Sequence, residues 1–203
     1  IPLIEKLAGE VKVPISIDTY KSGVAKRAME AGASIINDVS GLGLDENMGA
    51  VAAATGAGLI VMHMRGTPRS MQSDTAYEDL VGEVYSLLAS SVQKAVEAGV
   101  ERGRIIIDPG IGFGKSAEGN LALLGRLSEF CSMGLPVLAG ASRKSFIGKT
   151  LGIENPKDRL EGSLAAAVIA VMEGASVIRV HDVRETRRAV DLAFAAKQAS
   201  LRG

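Results

Sequence analysis

Residues 104–116 read Arg-Ile-Ile-Ile-Asp-Pro-Gly-Ile-Gly-Phe-Gly-Lys-Ser. The three isoleucines form a continuous apolar run, the pattern of a strand buried on both faces of a parallel sheet. Asp108 closes the run and Pro109 breaks it. A helix is then predicted from Glu118 to Met133, ending at Gly134. The glycines invite a phosphate-loop reading, and the spacing refuses it. A P-loop needs Gly, four residues, then Gly-Lys-Ser/Thr, and Pro109 stands at its first position. The dinucleotide fingerprint fails too, because counting from Gly110 puts Lys115 where the third Gly belongs. What is left is a strand-turn-helix unit. Its turn is either plain and tight or a glycine floor that lets a flat ligand approach the backbone beside Asp108.

The same unit recurs on both sides of this stretch. Strands are predicted at Val13 to Asp18, Ser34 to Asn37, Leu59 to His63, Arg104 to Asp108, Leu135 to Gly140 and Ser176 to Val180. Helices are predicted at Ser22 to Ala31, opened by a serine cap, and at Asp45 to Ala54, Tyr77 to Ala98, Glu118 to Met133, Asp158 to Glu173 and Val183 to Ala199. The chain opens as if part-way through a further helix. The longest irregular stretch is Met64 to Ala76, and nothing reads as a linker, so residues 1–203 are expected to form a single domain.

Six strand-helix units in order predict an α/β fold with a parallel sheet and right-handed crossovers. Polar residues stand at or just past the end of every strand: Asp18, Asn37 with Asp38, His63, Asp108, Ser142 to Lys144, and Arg179 with His181. An open sheet concentrates ligand contacts at one switch point. A barrel gathers them from every strand onto one face. The distribution favours a TIM-type (β/α)8 barrel, of which this chain holds six units.

Composition narrows the function classes. Lys plus Arg and Asp plus Glu balance at 23 each, which gives no support for a nucleic-acid or polybasic membrane partner. Hydrophobic residues make up 47% of the chain and aromatics 3%, so the core must be aliphatic. No apolar run is long enough for a membrane span. The one cysteine, Cys131, reads as a small buried hydrophobe in a cytoplasmic protein. With two histidines, no HxH and no CxxC, a zinc hydrolase site is not expected.

The strand-end residues divide by chemistry. Asp18 either caps the next helix or belongs to a site. Asn37 offers both a donor and an acceptor, which suits the amide-like edge of a heterocycle. Asp38 either joins it or anchors the loop Val39-Ser40-Gly41. Ser142-Arg143-Lys144 reads as a solvated basic turn or as a cationic site made roomy by Gly140 and Ala141. Residues 179 and 181 share a face of an extended strand, so Arg179 and His181 together make a candidate anion site. The ligand these residues suit is a polar heterocycle bearing an anionic group.

Together the blocks IDTYK (17–21), INDVSG (36–41), MHMRGTPRSMQ (62–72), IDPGIGFGKS (107–116), AGASRKSFIG (139–148) and RVHDV (179–183) resemble dihydropteroate synthases, in that family's order. The resemblance implies a (β/α)8 barrel whose third to eighth strands lie here. It implies an enzyme that condenses p-aminobenzoate with 6-hydroxymethyl-7,8-dihydropterin diphosphate in folate biosynthesis. It implies that Asp18, Asn37, Met62, Asp108, Phe113, Gly140 and Lys144 bind the pterin, that Ser142 and Lys144 meet p-aminobenzoate, and that Arg179 and His181 hold the diphosphate. Lys144, Asp108, Arg179 and His181 would then carry the catalysis. Mg2+ and a homodimer are implied as well. The family's Mg2+-binding Asn lies in an Asn-x-Thr-Pro-Asp-Ser-Phe segment that this sequence does not contain, nor does it contain the family's Ser-Thr-Arg-Pro segment. No metal ligand is therefore expected in this chain, and the barrel is expected to be incomplete at its N-terminal side. Three other readings compete: a methyltetrahydrofolate-using methyltransferase domain, a lysine Schiff-base aldolase acting through Lys144, and a non-catalytic pterin-binding fragment.

Overall fold

The computed structural model describes residues 1–67, 71 and 74–200. Within MHMRGTPRSMQ, residues Pro68, Arg69, Ser70 and Gln72 lie outside the described residues. Contacts group the chain into two compact units, residues 1–64 with 84–108, and residues 65–83 with 109 onward.

The first unit is built on four parallel strands, β1 (Ser16–Asp18), β2 (Ile35–Asp38), β3 (Gly58–Met62) and β4 (Ile105–Asp108), adjacent in chain order. Helices α1 (Pro2–Glu10), α2 (Ser22–Glu30), α3 (Met48–Thr55) and, from Val84 on, α4 (Leu80–Glu97) accompany them. The register sorts every side chain to a face. Asp18 pairs with Asn37, Asn37 with Ile60, and Met62 with Asp108. Ile60 and Met62 are two residues apart, so all five share one face. The opposite face carries Ile36, Asp38, Leu59, Val61, Ile105 and Ile107, each fully buried. Ile60 and Met62 are buried on the first face as well, which explains the continuous apolar runs, and Asp18, Asn37 and Asp108 close that face at the strand ends.

The second unit holds α5 (Ala117–Gly125), α6 (Ser128–Cys131), α7 (Ser145–Leu151), α8 (Leu160–Met172) and α9 (Val183–Ser200) around a parallel pair, β5 (Leu138–Ala139) and β6 (Val177–Ile178). Its core is aliphatic around Phe130, with Ile111, Leu123 and Leu127 fully buried.

Three local expectations are corrected. The helix predicted from Glu118 to Met133 is two: α5 ends at Gly125, a poor helix former, and Arg126 leaves the helical region before α6 begins. Ser22 does not cap α2 with its hydroxyl. Its N–H donates instead to Asp45, 2.7 Å away, and that bond above all holds the Asp45 carboxyl below the usual aspartate range. Helix α7 was not expected: the Ser-Phe-Ile-Gly stretch carries no periodicity long enough to declare it.

Candidate active site

In the first unit, the shared face gathers four of the predicted residues at the C-terminal ends of successive strands. Asn37 donates through Nδ2 to Asp18 Oδ1 at 2.7 Å. A carboxylate only accepts, so this bond fixes which end of the amide is nitrogen. The Asn37 carbonyl oxygen is then left buried with no hydrogen-bond partner, on a side chain only 4% exposed. An orphaned buried acceptor costs about 1–3 kcal/mol unless a ligand supplies a donor. Asp108 and Met62 are buried on the same face. Asp38 is not part of this group. It points to the core face and accepts from Ser40 N (2.9 Å), Ser40 Oγ (2.7 Å) and Leu42 N (2.9 Å), so it anchors the loop after β2.

In the second unit, the loop between β4 and α5 carries Phe113, and the Lys144 ammonium lies 4.2 Å from the centre of its ring. The same ammonium donates to the Ile111 carbonyl. A Cβ on Gly112 would collide with the Lys144 stem, so glycine is needed there for space as well as for its φ of +86°. Lys115, the residue that tempts a P-loop reading, is a buried stitch: its ammonium donates to Gly110 O (2.9 Å) and Phe113 O (2.8 Å).

Beyond β5, Ser142 Oγ lies 3.0 Å from His181 Nδ1 and accepts the His181 N–H at 3.3 Å. A hydroxyl can accept twice and donate once, so the direction of the bond to Nδ1 follows the imidazole tautomer. Arg179 and His181 fall just past β6, and the Arg179 N–H still continues the ladder to Ala139 O at 3.1 Å.

Arg143, counted from sequence among the site's cations, is committed elsewhere. It stands at φ +59° and forks onto Asp182, Nε to Oδ2 at 3.0 Å and Nη2 to Oδ1 at 2.5 Å. Its N–H donates to Ser163 Oγ (2.9 Å) and its carbonyl accepts from Arg159 Nη1 (2.9 Å). The fork holds the Asp182 carboxyl below the usual aspartate range. A depressed folded value stabilises the fold above the ordinary aspartate value of 3.8 and ceases to do so as pH falls through the folded value. Asp182→Asn should therefore lower Tm near neutrality, with a deficit that closes in acid. Melts of both proteins from roughly pH 7 to pH 2 check this, and a pH-independent deficit contradicts it.

A family model described as "Pterin binding enzyme" matches residues 1–181. The dihydropteroate synthase of Synechocystis is 47% identical over 90% of this chain and 63% of its own length; that of Escherichia coli is 43% identical over 98% and 71%. The structure of Xanthomonas albilineans dihydropteroate synthase in complex with 7,8-dihydropteroate superposes with a TM-score of 0.89 at 40% identity, covering 97% of this chain and 71% of that one. The chain belongs to the dihydropteroate synthase family. It spans between 63% and 71% of the length of these curated relatives.

Membership in the dihydropteroate synthase family raises the question of Mg2+. Among the described residues no group of three or more His, Cys, Asp or Glu side chains converges. No described helix is long and apolar enough to cross a membrane.

Proposed function

We propose that this chain supplies most of a cytoplasmic dihydropteroate synthase, which condenses p-aminobenzoate with 6-hydroxymethyl-7,8-dihydropterin diphosphate. The observation that carries this reading is the orphaned Asn37 carbonyl, set beside Asp18 on the face shared with Asp108. A pterin ring meets that need: its N–H edge donates to carboxylate and amide oxygens, and its flat faces suit the buried Met62. The barrel belongs to the same proposal, with β1 to β6 as its third to eighth strands, supported by parallel pairing in chain order within each sheet.

In this reading Asp18, Asn37 and Asp108 orient the pterin, while Phe113 and the neighbouring Lys144 border it. Gly140 leaves room: a Cβ there would meet only ordinary contacts, at 3.8 Å to Arg179 Cβ and 3.9 Å to Leu138 Cδ2, and its φ does not require glycine. Ser142 and Lys144 face p-aminobenzoate, and Arg179 and His181 hold the diphosphate. The arylamine nitrogen forms a bond to the exocyclic methylene of the pterin as the C–O bond to diphosphate breaks. The electron pair leaves with the diphosphate, and the amine sheds its proton. Orientation and charge stabilisation do the catalysis, and no protein nucleophile is needed. Mg2+ would add charge to the leaving group, with ligands other than the described residues. A homodimer is part of the reading, supported by the apolar groove of Leu121, Phe146, Leu151 and Ile169, three of which are substantially exposed.

Mixing the whole protein with both substrates and following diphosphate release alongside 7,8-dihydropteroate tests the proposal. The two products should appear in equal amounts. Pterin binding without condensation would overturn it in favour of a non-catalytic binder.

A further inference from the structure

We infer that Asn120 is a positioning residue for Lys144, acting through the peptide group that joins Ile111 to Gly112. Asn120 sits in the first turns of α5, only 3% exposed. Its Oδ1 accepts the Gly112 N–H, and its Nδ2 donates to Ser116 O at 2.8 Å and Lys115 O at 3.3 Å. Both amide hydrogens are used, so the side chain has one orientation. The Gly112 N–H and the Ile111 carbonyl belong to the same planar trans peptide and point in opposite directions. Holding the N–H therefore aims the carbonyl, and that carbonyl is the acceptor for the Lys144 ammonium.

Glycine makes this clamp necessary. Gly112 has no Cβ to restrict its rotation, and none can be added without striking the Lys144 stem. Losing the Asn120 acceptor loosens this peptide, and a turn of it would carry the Ile111 carbonyl away from Lys144. The ammonium would then lose its seat above Phe113 as well. The rest of the loop is fastened separately, by Lys115 on Gly110 and Phe113 and by the Tyr77 hydroxyl on Gly114 O at 2.9 Å. Loss of Asn120 should thus disturb the 111–112 peptide more than the whole loop.

The turnover arm of the test rests on the synthase reading; a labelling arm does not. In the whole protein, Asn120→Ala should raise the acylation rate of Lys144 about fivefold relative to exposed Lys149, read by peptide mass spectrometry. It should also lower turnover, yet change it little when Lys144 is already Met, because the two residues act in series. Equal losses in both backgrounds with an unchanged Lys144 rate mean a merely structural Asn120 and overturn the inference. If the alanine variant does not fold, Asn120→Leu, which removes the acceptor for Gly112 and keeps the side-chain bulk, carries the same measurements. Failure of both to fold would make Asn120 a folding residue and would also overturn it. A protein with no condensation activity refutes the synthase reading, and the labelling result then decides this one alone.

Discussion

Asp108→Asn should weaken pterin binding by about 1.5–3 kcal/mol, roughly tenfold to more than a hundredfold, while p-aminobenzoate binding stays nearly unchanged. Asp108 is 6% exposed at the end of β4, paired across the sheet with Met62 and on the same face as Asn37 and Asp18. A carboxylate in that position accepts two parallel hydrogen bonds from the ring N–H and amino group of a 2-amino-pyrimidinone. The amide accepts one and turns an NH2 donor toward a donor. The fold should tolerate the change, because the Asp108 backbone keeps its bond to the His63 N–H at 2.9 Å. Calorimetry with a pterin and with p-aminobenzoate separates the outcomes. Unchanged pterin affinity would remove Asp108 from the pterin site.

How much of the fold and the site was legible in the chain depends on range. The strand ends were readable because a short continuous apolar run followed by Asp or Asn is a local signal. The six runs became β1 to β6; β2 and β3 keep their predicted lengths and shift by one residue, and the other four are shorter, since only residues with ladder partners count as strand. The Asn37-Asp38 pair shows the limit of local reading. Period two puts the neighbours on opposite faces, but which one meets the core depends on Ile36 and Val61, buried with Asp38. Arg143 shows a harder limit. Nothing near Ser142-Arg143-Lys144 reveals that Asp182, 39 positions on, takes the guanidinium. Asn120 carried no signal at all, because a polar residue in a predicted helix reads as a solvated position. The Gly112 N–H that it holds is eight residues earlier and off the helix.

Arg179→Ala should reduce affinity for the pterin diphosphate by at least about tenfold and leave affinity for the corresponding pterin alcohol within about twofold. Arg179 is exposed just past β6, and His181 beyond it is held by Ser142. The guanidinium offers charge-assisted, bidentate donors to phosphate oxygens. A purely structural arginine predicts a different pattern: a lower Tm and equal losses for both ligands. The bond from the Arg179 N–H to Ala139 O survives truncation of the side chain, so the end of β6 keeps its ladder in the variant. Salt gives a second axis. An exposed cation gripping a diphosphate is screened, so the gap between wild type and variant should narrow as ionic strength rises from about 0.05 M toward 1 M, where the Debye length falls to about 3 Å. Calorimetry of both ligands across that series, with melts at each point, reads selectivity and stability together. Equal losses for the two ligands at every salt concentration would take the anion site away from β6.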